Sequence, residues 1–184
     1  MAINPPICIV ALIVIELLTG CAHKDVKETG FSAEKSTISV EGVPFIKQKD
    51  NFCGPAAMAA LLQYYGQDIS QEEVAEKVYT PKLEGALISD MENYAREQGY
   101  AVEVSEGNID SITSLIDEGT PVITLVDRGI WKVSVPHYYV VYGYNTGNET
   151  FLLHTGDECC KEMEYDKLDG EWERMNRLML VIRK

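Results

Sequence analysis

Apolar and polar positions change rhythm several times along the chain. "STISVEGVPFIKQ" alternates with period two, placing Ile38, Val40 and Val43 ahead of Pro44, and predicts a short edge strand. The rhythm is then lost in "AAMAALLQYYG", where Ala56 through Leu62 are apolar on every side. A helix with no polar face must be buried. Pro55 suits its first turn, where the missing N–H has no intrahelical partner, and Gly66 ends it. Ser70 before "QEEVAEKV" combines an N-cap with acid in the first turn, so a second and more exposed helix follows. Leu87, Met91, Tyr94 and Ala95 recur at helical spacing up to Gly99.

"AVEV" is a short strand. "NIDSITSLIDEG" sets Ile109, Ile112, Leu115 and Ile116 on one helical face, with Gly119 past its end. From there the pattern reads as strand in "PVITLV", "HYYVVYGY", "TFLL" and "LMLVIR". No repeat or low-complexity block interrupts it. Helices followed by a mainly antiparallel sheet predict the α+β class, with a buried N-terminal helix and further helices packed on the sheet.

Residues 1–20 stand apart. "PICIVALIVIELLTGC" is an apolar run closed by small residues before a cysteine, too short for a comfortable membrane span. Leu18-Thr19-Gly20-Cys21 resembles a bacterial lipoprotein signal, which implies lipidation of Cys21 as the new N-terminus. "MAINPP" lacks the usual Lys or Arg and Glu16 interrupts the run, so an uncleaved anchor is the alternative. Residues 21–37 are polar, without apolar periodicity, and read as a lipidated tether. Residues 38–184 form the folded domain. The resemblance places the protein in the cell envelope, lipid-anchored to a membrane. Ala22, standing where Asp would favour inner-membrane retention, favours the outer membrane's periplasmic face.

The 184 residues, 46% of them hydrophobic, suffice for one domain with a real core. With 29 acidic against 16 basic side chains the formal charge is −13. Such a surface repels nucleic acid and serves solubility.

Five cysteines are present. Cys8 lies in the apolar run and Cys21 is committed to lipid, leaving Cys53, Cys159 and Cys160, too few for a disulfide scaffold. Cys53 directly precedes the buried helix, where the helix dipole and free backbone N–H groups favour a thiolate and can bind an oxyanion. A structural cysteine under a helix is the competing reading. Pairing Cys159 with Cys160, or leaving both free, keeps Cys53 available. Gln48 offers a side-chain donor near the same spot. Of three histidines, His23 lies in the tether, His137 opens a core strand where a general base can be held, and His154 closes the next one.

"VPFIKQKDNFCGPAAMAALLQYYG" followed by "EGTPVITLV" and "PHYYVVYGY" resembles the bacteriocin-processing, double-glycine-leader peptidases of the papain-like clan, over about Val43 to Leu153. The resemblance implies a papain-like fold, with Cys53 as nucleophile, His137 as base and Gln48 as oxyanion donor. That family usually follows the histidine strand with Asp-Pro, whose carboxylate orients the imidazole. Here the stretch reads Leu153-His154-Thr155-Gly156-Asp157, so the third member is open among His154, Asp157 and Asn145. "LHTG" and the terminal "W…LMLVIRK" are similar to a lipoprotein branch of papain-like peptidases, in which that position is not Asp.

The reading is a membrane-anchored cysteine peptidase acting on a peptide or amide bond, without cofactor, metal or nucleic-acid partner. Its partners are a peptide or protein substrate and the membrane holding its lipid. A non-catalytic peptide-binding module and a scaffolding lipoprotein are the alternatives. His154, Asp157, Cys159 and Cys160 also suggest a metal site, but adjacent cysteines do not easily share one zinc ion from a strand. Trp131, Tyr138, Tyr139 and Tyr142 read as core and cleft-wall aromatics.

Overall fold

The computed structural model describes residue 1 and residues 37–184. The apolar run read as a signal, Cys21 as the expected lipidation site, and the stretch read as a tether up to residue 36 lie outside the described residues. Among those residues no helix is long and apolar enough to cross a membrane.

The chain runs β1 (Thr37–Ser39), α1 (Cys53–Tyr64), α2 (Gln71–Val78), β2 (Tyr79–Thr80), a 3-10 turn (Pro81–Leu83), β3 (Gly85–Ala86), α3 (Ile88–Glu97), β4 (Ala101–Glu106) and α4 (Ile109–Asp117). It continues through β5 (Val122–Asp127), β6 (Pro136–Asn145), β7 (Thr150–His154), β8 (Lys161–Glu164), α5 (Tyr165–Glu173) and β9 (Leu178–Arg183). A seven-stranded sheet has the order β4-β9-β5-β6-β7-β8, with β1 added to the far end of β6. Every pairing is antiparallel. β2 and β3 form a separate small hairpin.

Side-chain alternation sorts the sheet into two apolar faces. Ile123, Leu125, Tyr138, Val140, Leu180 and Ile182 join the core under α1, α2 and α3. Val122, Val126, Tyr139, Val141, Met179 and Val181 join the core under α4 and α5. Because both faces are covered, β5 is buried along its whole length, which explains its unbroken apolar run. The α+β architecture is the one the sequence predicts, with helices covering both faces of the sheet.

Helix α1 is the keystone. Residues Gly54 through Leu62 are all buried, between α2, α3 and β6. Gly54 is required by space, since a Cβ there would stand 2.8 Å from the Ala86 Cβ and 3.3 Å from the Tyr138 ring. Ser70 caps α2 through a reciprocal box with Glu73, as its sequence predicts. β8 and α5 have no counterpart in the sequence reading. Trp131 is not a core residue; it is 97% exposed on the β5–β6 loop, whereas Tyr138 and Tyr139 are buried.

Candidate active site

Cys53 opens α1, and its sulfur faces the backbone amides of Tyr138, Gly54 and Cys53 itself. The Tyr138 amide belongs to β6, so the thiol rests against the strand one residue past His137. The helix places the cysteine and the strand places the histidine, both on rigid elements. Cys53 is a free thiol.

His137 is 6% exposed. Its Nε2 lies 2.6 Å from the Thr155 carbonyl oxygen and 3.4 Å from Arg128 Nη1. Both neighbours cannot be hydrogen-bonded at once, because the carbonyl needs a donor and the guanidinium an acceptor. The shorter contact decides it. Nε2–H donates to Thr155, which leaves the lone pair on Nδ1. Arg128 is then an electrostatic neighbour, and it is turned aside by an ion pair with Asp157 at 3.0 Å.

The place offered to a third side chain is therefore filled by a backbone carbonyl. His154 is engaged elsewhere, with Nε2 3.3 Å from the Val43 carbonyl and Nδ1 accepting from the Cys160 amide at 3.3 Å. Asp157 reaches the site only through Arg128. Asn145 lies at the opposite end of β6, donating to Thr37 and accepting from the Gly147 and Asn148 amides of the hairpin turn.

Gln48, on the segment before α1, stands against the same turn. Its backbone N–H donates to the Gly156 carbonyl at 2.9 Å, and its buried Oε1 has no hydrogen-bond partner among the described residues. Gly156 has φ of +82°, and a Cβ there would come within 2.3 Å of that Oε1. Only glycine leaves room for the glutamine side chain. Gln71 of α2, itself buried, clamps the segment before α1 on both sides of Gln48: Nε2 donates to the Lys47 carbonyl and Oε1 accepts from the Lys49 amide, both at 2.9 Å. Neither Gln71 nor Thr155 is legible as a site residue from sequence. The single hint is Gly156 between Thr155 and Asp157.

The electrostatics depart from the thiolate that a helix N-terminus favours. Burial pushes the Cys53 thiol above its ordinary 9.0, and the amides of Tyr138, Gly54 and Cys53 together with Arg128 offset this only in part. Burial likewise lowers His137 below 6.5; the Thr155 carbonyl opposes this and Arg128 adds to it. Both shifts favour a neutral thiol and a neutral imidazole over an ion pair. His154 is also lowered by burial, against its bond to Val43.

Two lips of exposed apolar side chains border this site. Leu83 and Leu87 flank β3, whose Ala86 packs on Gly54 and accepts a hydrogen bond from the Tyr138 hydroxyl. Ile130, Trp131, Val133 and Val135 lie on the loop leading into His137. Asp127 holds that loop, its Oδ1 accepting from the Gly129 and Val135 amides at 2.8 and 2.7 Å. A groove of about 950 Å³ lies elsewhere, between the start of α4 and the end of α5, and is lined by Glu106, Asp110 and the Asp169–Arg177 pair.

A buried N-terminal helix headed by cysteine, packed on an antiparallel sheet that carries the histidine, defines the papain-like class of cysteine peptidases. The chain belongs to the Peptidase_C39 like family, whose model matches residues 40–179, and it is a cysteine peptidase. Its fold is similar to that of a C39-like peptidase from Bacillus anthracis, with a TM-score of 0.66, 16% identity, and coverage of 81% of this chain and 98% of the other. It is also similar to the peptidase domain of Streptococcus ComA, a bi-functional ABC transporter of a quorum-sensing pathway, with a TM-score of 0.63, 24% identity, and coverage of 76% and 97%. A double glycine motif protease from an AMS/PCAT transporter, solved with its leader peptide, gives 0.62, 19%, and coverage of 80% and 98%. No curated protein sequence matches the chain.

Proposed function

We propose that this protein cleaves a peptide bond with Cys53 as nucleophile, His137 as general base and Gln48 as oxyanion donor. The observation that carries the reading is the Nε2–H bond from His137 to the Thr155 carbonyl, which leaves Nδ1 basic at the strand start against which Cys53 packs. Nδ1 takes the thiol proton as sulfur attacks the scissile carbonyl. The Cys53 amide and the Gln48 side-chain N–H bind the oxygen that becomes negative. The imidazolium returns its proton to the departing amine, and water then hydrolyses the thioester.

The substrate is a peptide whose apolar side chains rest on the Trp131 and Leu83–Leu87 lips. A leader peptide bound to a relative of the same fold supports a peptide over another amide. Specificity for a double-glycine site is not carried over at such identity. The Leu18–Cys21 pattern supports a lipid anchor at the cell envelope, to be checked by the mass shift lost in Cys21→Ser.

A peptide-binding module of the same fold is the reading to exclude. Apolar tripeptide aldehydes separate the two by mass spectrometry. A peptidase forms a hemithioacetal at Cys53 that vanishes in Cys53→Ala; a binding module gives no adduct.

A further inference from the structure

The turn between β7 and β8 carries a second group of chemistry-bearing side chains. Cys159 and Cys160 are disulfide-linked there, both exposed, next to His154, which is 5% exposed. The ligand atoms of the three residues lie within 4.8 Å of one another. The imidazole is held by Tyr142 and Phe45, with ring centroids at 4.5 and 5.4 Å. A cavity of about 220 Å³ opens beside all five residues.

The orientation of His154 is the informative part. Donation from Nε2–H to the Val43 carbonyl fixes the tautomer and turns the Nδ1 lone pair toward the turn, where only a long bond from the Cys160 amide meets it. A ring nitrogen fixed by a backbone carbonyl so that the other is free to ligate is the usual support of a metal-binding histidine. The objection that adjacent cysteines cannot share an ion applies to a strand. These two lie in an irregular turn, with Cys160 at φ +56°.

We infer that, once the disulfide is reduced, His154 Nδ1 and the Cys159 and Cys160 thiolates bind one Cu(I) ion in a three-coordinate site. Two thiolates and an imidazole are a soft donor set. Structural zinc takes four protein ligands, and the group here offers three, since Asp157 is turned away to Arg128. Reduction takes two electrons and two protons from an external dithiol, which leaves as its own disulfide. Binding then releases the two thiol protons and gives a copper bis-thiolate of net charge −1. The site stands apart from Cys53 and does not depend on the peptidase reading.

The test uses the full chain carrying Cys8→Ser, Cys21→Ser and Cys53→Ser, so that Cys159 and Cys160 are its only thiols. It is titrated without oxygen, under a phosphine reductant, with Cu(I) buffered by bicinchoninate. One ion per chain is expected, with affinity falling about 100-fold in Cys159→Ser or Cys160→Ser and at least about tenfold in His154→Gln. X-ray absorption of the loaded protein is expected to give two sulfur neighbours and one nitrogen, which decides the role of His154 even where its variant misfolds. Absence of stoichiometric Cu(I), a shell without nitrogen, tighter retention of Zn(II), or a pair that stays disulfide-bonded under the reductant overturns the site.

Discussion

His137 Nε2 and the Thr155 carbonyl oxygen are 2.6 Å apart, and this bond stands where the sequence resemblance leads one to expect a carboxylate. A carbonyl fixes the tautomer as a carboxylate does, but it adds a dipole rather than a full charge to stabilise the imidazolium. The same turn holds Gln48 through the Gly156 carbonyl, so one short segment contacts both residues proposed to act with Cys53.

Displacing that segment should impair catalysis more than binding. Gly156→Ala puts a methyl against Gln48 at a φ of +82°, and its kcat is expected to fall about 100-fold, the scale of a lost oxyanion donor, with KM changed little. Gln71→Ala, which frees the segment on both sides of Gln48, should lower kcat in the same sense but less. Steady-state kinetics on one peptide substrate checks both.

The neutral thiol and imidazole set the pH profile. His137 must be unprotonated to act as base, and its value lies below 6.5, so kcat/KM should rise with pH along a limb centred below 6.5 and then level off. Cys53 titrates above 9.0, so no descending limb is expected between about pH 7 and 9 from loss of an ion pair. Iodoacetamide alkylation of the resting protein should likewise climb only above pH 9. Arg128 disfavours the imidazolium, and Arg128→Gln should move the acid limb upward.

Gly54 and Gly170 make opposite predictions for stability. Gly54→Ala overpacks against Ala86 and Tyr138 and should cost about 1–3 kcal/mol. Gly170 lies inside α5 with nothing within 4 Å of an added Cβ, so Gly170→Ala should stabilise by about 0.5–1 kcal/mol. Urea unfolding of the two variants measures the contrast.

Asp127 links the loop before His137 to acid stability. Burial alone would raise its carboxyl, but bonds from the Val135 and Gly129 amides and Ser134, with Arg174 nearby, hold it below 3.8. A depressed carboxyl stabilises the fold above its unfolded value and loses that contribution as pH falls through the folded one. Asp127→Ala should therefore cost on the order of 2 kcal/mol at pH 7, with the difference from the parent shrinking below pH 3.8. Thermal unfolding across pH 2.5–7, about the range that spans an unperturbed aspartate, follows it.

The helix that carries Cys53 and the strand that carries His137 were legible because each announces itself locally. Apolar residues on every side of α1 mark a buried helix, and Pro136 ahead of an apolar run marks a strand start. Thr155 was not legible, since every residue has a carbonyl and only the fold aims this one at an imidazole. α5 was missed because it buries little, Leu168 and Trp172 one turn apart, with Gly170 between them. β8 buries only Met163 on an edge. Trp131 misled because size and apolarity argue for the core only when nothing else selects exposure. The thiol's protonation depends on how deeply Cys53 is covered, which no local pattern records.

The most direct test is digestion of a peptide library by the full chain beside its Cys53→Ala and His137→Ala variants. Cleavage at defined sites by the parent, abolished in Cys53→Ala and reduced by about 1,000-fold or more in His137→Ala, is the predicted result. Turnover that persists in Cys53→Ala would contradict the account.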